Sequence, residues 1–278
     1  MGYKTILTVV TTKDQQTQLE AAIDVTRRED GHLEVFCLGV DHSQAGYYYA
    51  GASAYVFQET IDRAMAAAED LEASVRDRLG REDIRWSVES AVAQVGGLTT
   101  LIGMRARYSD LVVLTRPYGD DVSPDAVAVT EAALFEGSAP VLIVPDGGLP
   151  ADFGQQIIVA WNQSEEAMTA VRRAMPLLAA AKAVEITVID PSPDGPEGAD
   201  PGAALAQMLD RHGIAVDVAV LARTQTLISD IIDRRAEEVG ADLIVMGAYG
   251  HSRFRQAILG GATRNMLGKA SIPILMAR

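Results

Sequence analysis

Gly247-Ala248-Tyr249-Gly250, nine further residues, and then Gly260-Gly261-Ala262-Thr263 form the stretch of this chain best suited to chemistry. Glycines let backbone amides come close to an anion, and the free amides at a helix start favour phosphate. Gly247 and Gly250 would shape one side of such a cradle, Gly260 and Gly261 the other. Thr263 either caps the helix that follows or donates to a phosphate. Arg253 and Arg255, inside the nine-residue stretch, either screen phosphate charge or face water. Other nucleotide signatures fail. Six residues separate Gly261 from Gly268-Lys269 where a P-loop has four, and Ala270 stands where a magnesium-binding hydroxyl is needed. No Gly-x-Gly-x-x-Gly follows the first strand of either half, and Gly96-Gly97 lacks the rest of any motif.

Catalysis needs a base or nucleophile beside the phosphates. His251 is the one histidine near the glycine-rich stretch, and a solvated loop position accounts for it. His32, His42 and His212 share no metal-ligand spacing with Cys37, so no metal site and no catalytic residue is expected. Cys37 falls inside an apolar run and reads as a buried thiol.

The elements that must position these residues occur twice. Lys4–Thr11 aligns with Gln155–Asn162 and Glu34–Leu38 with Glu185–Ile189, both at an offset of 151. Ser109–Leu114 aligns with Ala241–Met246 at 132, and Ala139–Val144 with Ile272–Ala277 at 133. The change of offset places about 19 extra residues between Leu38 and Asp110 of the first copy. Ile6–Val10, Leu33–Leu38, Leu111–Leu114 and Val141–Val144 are short, continuous apolar runs that suit parallel strands covered on both faces. Gln16–Thr26, Ala66–Leu79, Gly97–Tyr108, Glu165–Ala181 and Thr226–Val239 carry apolar residues at helical spacing. The alternation predicts two tandem α/β domains, each an open, doubly wound parallel sheet, over 1–147 and 152–278. Pro145–Pro150 is turn-rich and reads as the linker. Pro191–Gly198 is predicted as a loop of the second copy, and Tyr47-Tyr48-Tyr49 as an aromatic cluster that either packs against its neighbour or serves as a lid or partner contact.

At 278 residues and 48% hydrophobic content the chain can bury a sizeable core. The net charge of −14 disfavours nucleic acid or an anionic membrane as a partner of the whole chain. That charge is uneven: −11 over 1–150 and −3 over 151–278. No acidic residue follows Asp242, while Arg253, Arg255, Arg264, Lys269 and Arg278 give +5, which suits a small anion or a solvated basic face. No apolar run approaches a membrane helix, and Thr5–Val10 follows the start without a signal-peptide core. A single cysteine cannot form an intramolecular disulfide, so a cytoplasmic location is expected.

The segment Asp242–Gly247, the spacing Gly247-x-x-Gly250-x9-Gly260 and the closing Ile272-Pro273-Ile274-Leu275-Met276 resemble the universal stress protein family. The resemblance covers both halves and implies a tandem member with an adenine nucleotide alpha-hydrolase-like, Rossmann-like fold. It implies ATP, ADP or AMP as ligand, with Mg²⁺ able to ride on the phosphates. It further implies that Met246, Gly247, Gly250, Gly260, Gly261 and Ala262 surround ribose and phosphates, and that Ala160, Asn162 and Val188 surround the adenosine. Two positions depart from the family pattern: Asn162 replaces its usual aspartate and Gly261 its Ser or Thr. The second change removes one hydroxyl donor, roughly 0.5–1.5 kcal/mol, which Thr263 lies near enough to offset. In the first copy Thr115-Arg116-Pro117-Tyr118 replaces the opening of the motif and Val127–Val129 its closing glycines, so no nucleotide is expected there. The implied protein is a nucleotide-dependent stress-response regulator; a slow ATP hydrolase or phosphotransferase and a nucleotide-free interaction module are the alternatives. Self-association and a protein partner both stay open.

Overall fold

The computed structural model describes residues 2–42, 54–119, 122–191, 200–248 and 261–278, with the backbone alone at 54–57. Tyr47–Tyr49, most of Pro191–Gly198, and Gly250, His251, Arg253, Arg255 and Gly260 lie outside these residues. The chain divides into two compact units, Tyr3–Ala139 and Pro140–Arg278.

The first unit runs β1 (Thr5–Val10), α1 (Gln16–Glu29), β2 (His32–Asp41), α2 (Ala54–Leu79), β3 (Arg85–Gln94), a 3-10 turn (Val95–Gly97), α3 (Leu98–Ala106), β4 (Leu111–Thr115) and α4 (Ala126–Glu131), which continues into a π turn (Ala132–Glu136). The strand order is β3-β2-β1-β4, all parallel. Ile6, Leu7 and Val9 are wholly buried, because helices cover both faces of β1. At Gly39 the sheet runs directly under α2: a Cβ there would lie 2.0 Å from the Ala64 carbonyl oxygen. Cys37 is buried in β2, and burial pushes its thiol up to about 12.

The second unit runs β5 (Val141–Val144), β6 (Gln156–Trp161), α5 (Glu165–Ala180), β7 (Ala183–Ile189), α6 (Ala203–Arg211), β8 (Val216–Leu221), α7 (Ile228–Val239), β9 (Leu243–Gly247), α8 (Ala262–Lys269) and β10 (Ile274–Ala277). Its strand order is β5-β10-β9-β6-β7-β8. Strands β6 to β10 are mutually parallel. Strand β5 is the exception to the parallel expectation: it lies antiparallel on β10, with Ile143 opposite Ile274 and Val141 opposite Met276.

The repeat is visible in structural detail at the amino ends of the strands. Asp110 Oδ2 accepts from the backbone amides of Lys4 and Thr5 at 2.8 and 2.9 Å. Its counterpart Asp242 accepts from those of Gly154, Gln155 and Gln156 at 2.9–3.1 Å. Each aspartate fixes the entry of its unit's central strand, at the end of the sheet away from any ligand crevice.

Besides its buried apolar residues, a polar contact ties α7 to the sheet. Glu185 on β7 is buried, accepts from Thr187 Oγ1 at 2.8 Å, and meets Arg235 Nε and Nη2 at 2.9 and 2.6 Å. Burial alone would raise the Glu185 carboxyl; the Arg235 and Thr187 hydrogen bonds outweigh it and hold the carboxyl below its ordinary value. Arg235→Leu is therefore expected to destabilise the second unit by about 1–2 kcal/mol, less than a fully dry pair, because water reaches the guanidinium. The stability that Glu185 contributes is present above its unfolded pKa and is lost as pH falls through the lowered folded value. Urea unfolding of wild type and variant at neutral and acid pH checks this: the difference between them should shrink in acid.

Candidate functional site

In each unit the chain leaves its central strand to one side and returns on the other. Ligands of open parallel sheets bind at the carboxyl ends of the strands where that reversal occurs. The reversal lies between β1 and β4 in the first unit and between β6 and β9 in the second.

The second crevice gathers most of the described residues singled out in the sequence. Ala160 is the register partner of Met246 across β6 and β9, and Trp161 that of Val188 across β6 and β7. Met246 and Val188 are buried and Ala160 is half-buried. Asn162 follows β6 and is exposed; its Oδ1 accepts from the Ser164 amide at 3.2 Å. That closes a tight turn in which Gln163 takes a φ of +63°. Ser164 then caps α5, its Oγ accepting from the Ala167 amide at 3.1 Å, and Glu165 and Glu166 follow in the first turn, where acids suit the helix dipole.

Gly247 ends β9 against this first turn. A Cβ at Gly247 would lie 2.5 Å from the Ala167 nitrogen and 2.8 Å from the Glu166 carbonyl carbon. Its glycine is thus required by backbone packing whether or not a ligand is present. Gly261 is the N-cap of α8 with φ −60° and ψ 157°, and has no side chain of its own with which to cap the helix. Ala262 and Thr263 open α8; Ala262 is half-buried and Thr263 buried.

The first crevice is filled from within. Gln18, 1% exposed, donates through Nε2 to Thr8 Oγ1 and the Val9 carbonyl at 2.9 and 2.7 Å. Its Oε1 accepts from the amide and hydroxyl of Thr115 at 3.0 and 3.1 Å. Gln15 Oε1 ties down the amides of Thr11 and Thr12 at 2.7 and 3.0 Å, and the Thr11 hydroxyl lies 2.9 Å from Ser123 Oγ. His42 Nε2 stands 3.4 Å from the nearly buried Asp125 carboxylate, which burial pushes up and His42 draws back down. Gln18 is the third residue of α1, as Ala167 is of α5, and Thr115 aligns with Gly247. The small pair Gly247–Ala167 thus corresponds to the large, hydrogen-bonded pair Thr115–Gln18. The one hint in the sequence is the run Gln15-Gln16-Thr17-Gln18 where an open crevice would favour small residues.

The sequence model of the Universal stress protein family matches residues 154–278. Residues 154–278 belong to the universal stress protein family. A curated relative, universal stress protein Slr1230 from Synechocystis sp., is 36% identical over 72 residues, a match covering 26% of this chain and 24% of that protein. The fold likeness reaches further. A universal stress protein from Archaeoglobus fulgidus DSM 4304 covers 98% of both chains with a TM-score of 0.69 at 16% identity. A putative universal stress protein from Pseudomonas aeruginosa UCBPP-PA14 covers 99% of this chain and 93% of its own with a TM-score of 0.61 at 17% identity. The first unit therefore shares the universal stress protein fold. Among the described residues no helix is long and apolar enough to cross a membrane, and no three His, Cys, Asp or Glu side chains are grouped to hold a metal ion.

Proposed function

We propose that the second universal stress protein unit binds one adenine nucleotide and that its occupancy regulates a contact with a protein partner, while the first unit binds none. The observation that carries the reading is the contrast between the two crevices. At the β6–β9 reversal the paired residues Ala160 and Met246 stand beside Gly247, whose backbone meets the first turn of α5, and α8 opens at Gly261, which has no side chain of its own. At the β1–β4 reversal the corresponding positions carry the hydrogen-bonded side chains of Gln18 and Thr115 in place of Ala167 and Gly247.

In this reading Ala160, Asn162 and Val188 surround the adenosine. Met246, Gly247, Gly261, Ala262 and Thr263, with Gly250 and Gly260, surround ribose and phosphates. The opening amides of α8 supply donors in place of the hydroxyl missing at Gly261. Asn162 Oδ1 accepts from the Ser164 amide, which orients the side chain, and its NH₂ supplies donors towards base or ribose. A Mg²⁺ ion would arrive with the phosphates, which suits its preference for phosphate oxygens and water. Storage of the nucleotide rather than turnover follows from Asn162, an amide that cannot act as a base where the family pattern has a carboxylate.

Calorimetric titration of MgATP, ADP and AMP into the stripped chain is the test. Binding at one site per chain, with ADP release near background, is the expected result. Two sites per chain, or no binding with nothing co-purified, would overturn the reading.

A further inference from the structure

Strands β3 and β8 stand at the two ends of the strand order and occupy the same place in the two copies. Their edges are finished differently. The 26-residue α2 packs on β2 and β3, and its Arg76 donates through Nη2 to the Val88 carbonyl of β3 at 2.7 Å. Charges follow along the strand: Arg85 pairs with Asp30 and Glu89 with Arg105, both at 2.5 Å. Charged side chains and a covering helix are the usual means of keeping a sheet edge from pairing with another chain.

Strand β8 lacks these guards. Its six residues, Val216-Asp217-Val218-Ala219-Val220-Leu221, carry one charge, and among the described residues no side chain hydrogen-bonds to their backbone. The covering helix α6 has only nine residues. A Cβ at Gly202, just before α6, would lie 3.2 Å from Val218 and 3.5 Å from Val188, so these side chains share the face that α6 approaches. On that face Val218 and Val220 stay 40% and 54% exposed. One bond fixes the direction of the backbone groups: the Asp190 amide donates to the Leu221 carbonyl at 2.8 Å. Leu221 therefore turns its polar groups towards β7, and by the alternation of a strand Val216, Val218 and Val220 turn theirs outward.

We propose that this edge pairs with the β8 edge of a second copy of the chain, antiparallel about a two-fold axis at Val218. That axis gives every outward residue of β8 an outward partner within the strand. Val216 meets Val220 of the second copy, Val218 meets Val218, and Val220 meets Val216. Each such pair exchanges both amide-to-carbonyl bonds, and branched side chains stand opposite one another on one face. Asp217 falls opposite Ala219, whereas an axis at Asp217 would set the two aspartates face to face. Charge also selects this edge. Residues 151–278 carry −3 against −11 for 1–150, so two copies meet with least repulsion through the second unit. A self-complementary strand in a closed two-fold contact makes a dimer and stops there. Val188, set beside adenosine in the function proposed above, is the register partner of Val220, so the seam runs one strand from the crevice. The pairing itself needs no nucleotide.

Sedimentation equilibrium of the full chain, stripped of nucleotide, reads the pairing directly. One strand against one strand is a small contact, so a Kd of about 10–100 µM is expected. Val220→Lys should weaken association by about tenfold or more, since a lysine on an edge opposes pairing. The substitution makes the chain less acidic, so repulsion between like-charged copies cannot account for the loss. Its site is more than half exposed, and an unmoved Trp161 urea transition shows that the unit still folds. Mild oxidation of Asp217→Cys mixed with Ala219→Cys, one of them tagged, reads the register. Those positions would lie about 4.5 Å apart between Cα atoms, within disulfide reach, while each position is too far from its own copy. The mixture should give a linked heterodimer and either variant alone little; the native Cys37 is buried and does not compete. Monomers at every concentration overturn the proposal and leave the edge to another chain or to water. A dimer that Val220→Lys leaves intact overturns it too, as does cross-linking equally strong in each variant alone. Monomers that still bind MgATP remove the dimer and leave the nucleotide reading; dimers that bind none do the reverse.

Discussion

Gln18→Leu is expected to lower the stability of the first unit by about 2–3 kcal/mol, although leucine nearly matches glutamine in volume. The variant removes both donors of the Nε2 group and strips the Thr115 amide and hydroxyl of their acceptor Gln18 Oε1 at the end of β4. Thr8 keeps its bond to the Val113 carbonyl at 2.8 Å, so the loss centres on Thr115. Burial of the leucine at this 1% exposed site recovers part of that loss, which holds the expected cost to about 2–3 kcal/mol. The two tryptophans let the effect be assigned: Trp86 lies on β3 of the first unit and Trp161 on β6 of the second. Urea unfolding of single-tryptophan variants should show the Trp86 transition moving to lower urea. An unmoved Trp86 midpoint would mean that the glutamine is an ornament of the crevice and not its support.

Gly247→Val should act on the second unit twice. A branched side chain must displace the Ala167 amide and the Glu166 carbonyl, 2.5 and 2.8 Å from the new Cβ, both of them backbone. Overpacking of that kind costs about 1–3 kcal/mol, read as an earlier Trp161 transition. It also pushes α5 off β9 at the mouth of the crevice, so MgATP binding should be lost. Gly261→Ala is the companion: its φ of −60° suits any residue, and alanine at this cap should cost no more than about 1 kcal/mol while weakening binding only modestly. Full binding in Gly247→Val would place the phosphates away from β9.

The strands that were legible in the sequence are those covered on both faces. Ile6–Val10 and Leu243–Met246 read as continuous apolar runs because helices lie on either side of them. Strands β3 and β8 are not visible in that way. Each pairs on one side only within its unit, and the exposed Arg85, Glu89 and Asp217 and half-buried Ser90 break the apolar pattern. Helix α2 likewise starts twelve residues before the predicted Ala66, since its early turns carry polar residues such as Gln58 and Glu59. In the crevices, Ala160, Met246 and Gly247 could be singled out through the family resemblance, yet the packing reason for Gly247 could not. It depends on where α5 enters, two residues closer to its strand than α1 is to β1. Gln18, Asp125 and Glu185 were out of reach for the same reason: each is a polar residue whose partner lies on another element.

Strand β5 carries a practical consequence. The sequence repeat assigns Val141–Val144 to the first copy, while in space it covers the outer side of β10. A fragment begun at residue 152, where the repeat restarts, leaves the backbone amides and carbonyls of Ile274–Met276 without their neighbour, an open invitation to intermolecular pairing. A fragment begun at Pro140 brings its own cover. A second-unit fragment that is to keep the β10 pairing therefore starts at Pro140 and not at 152.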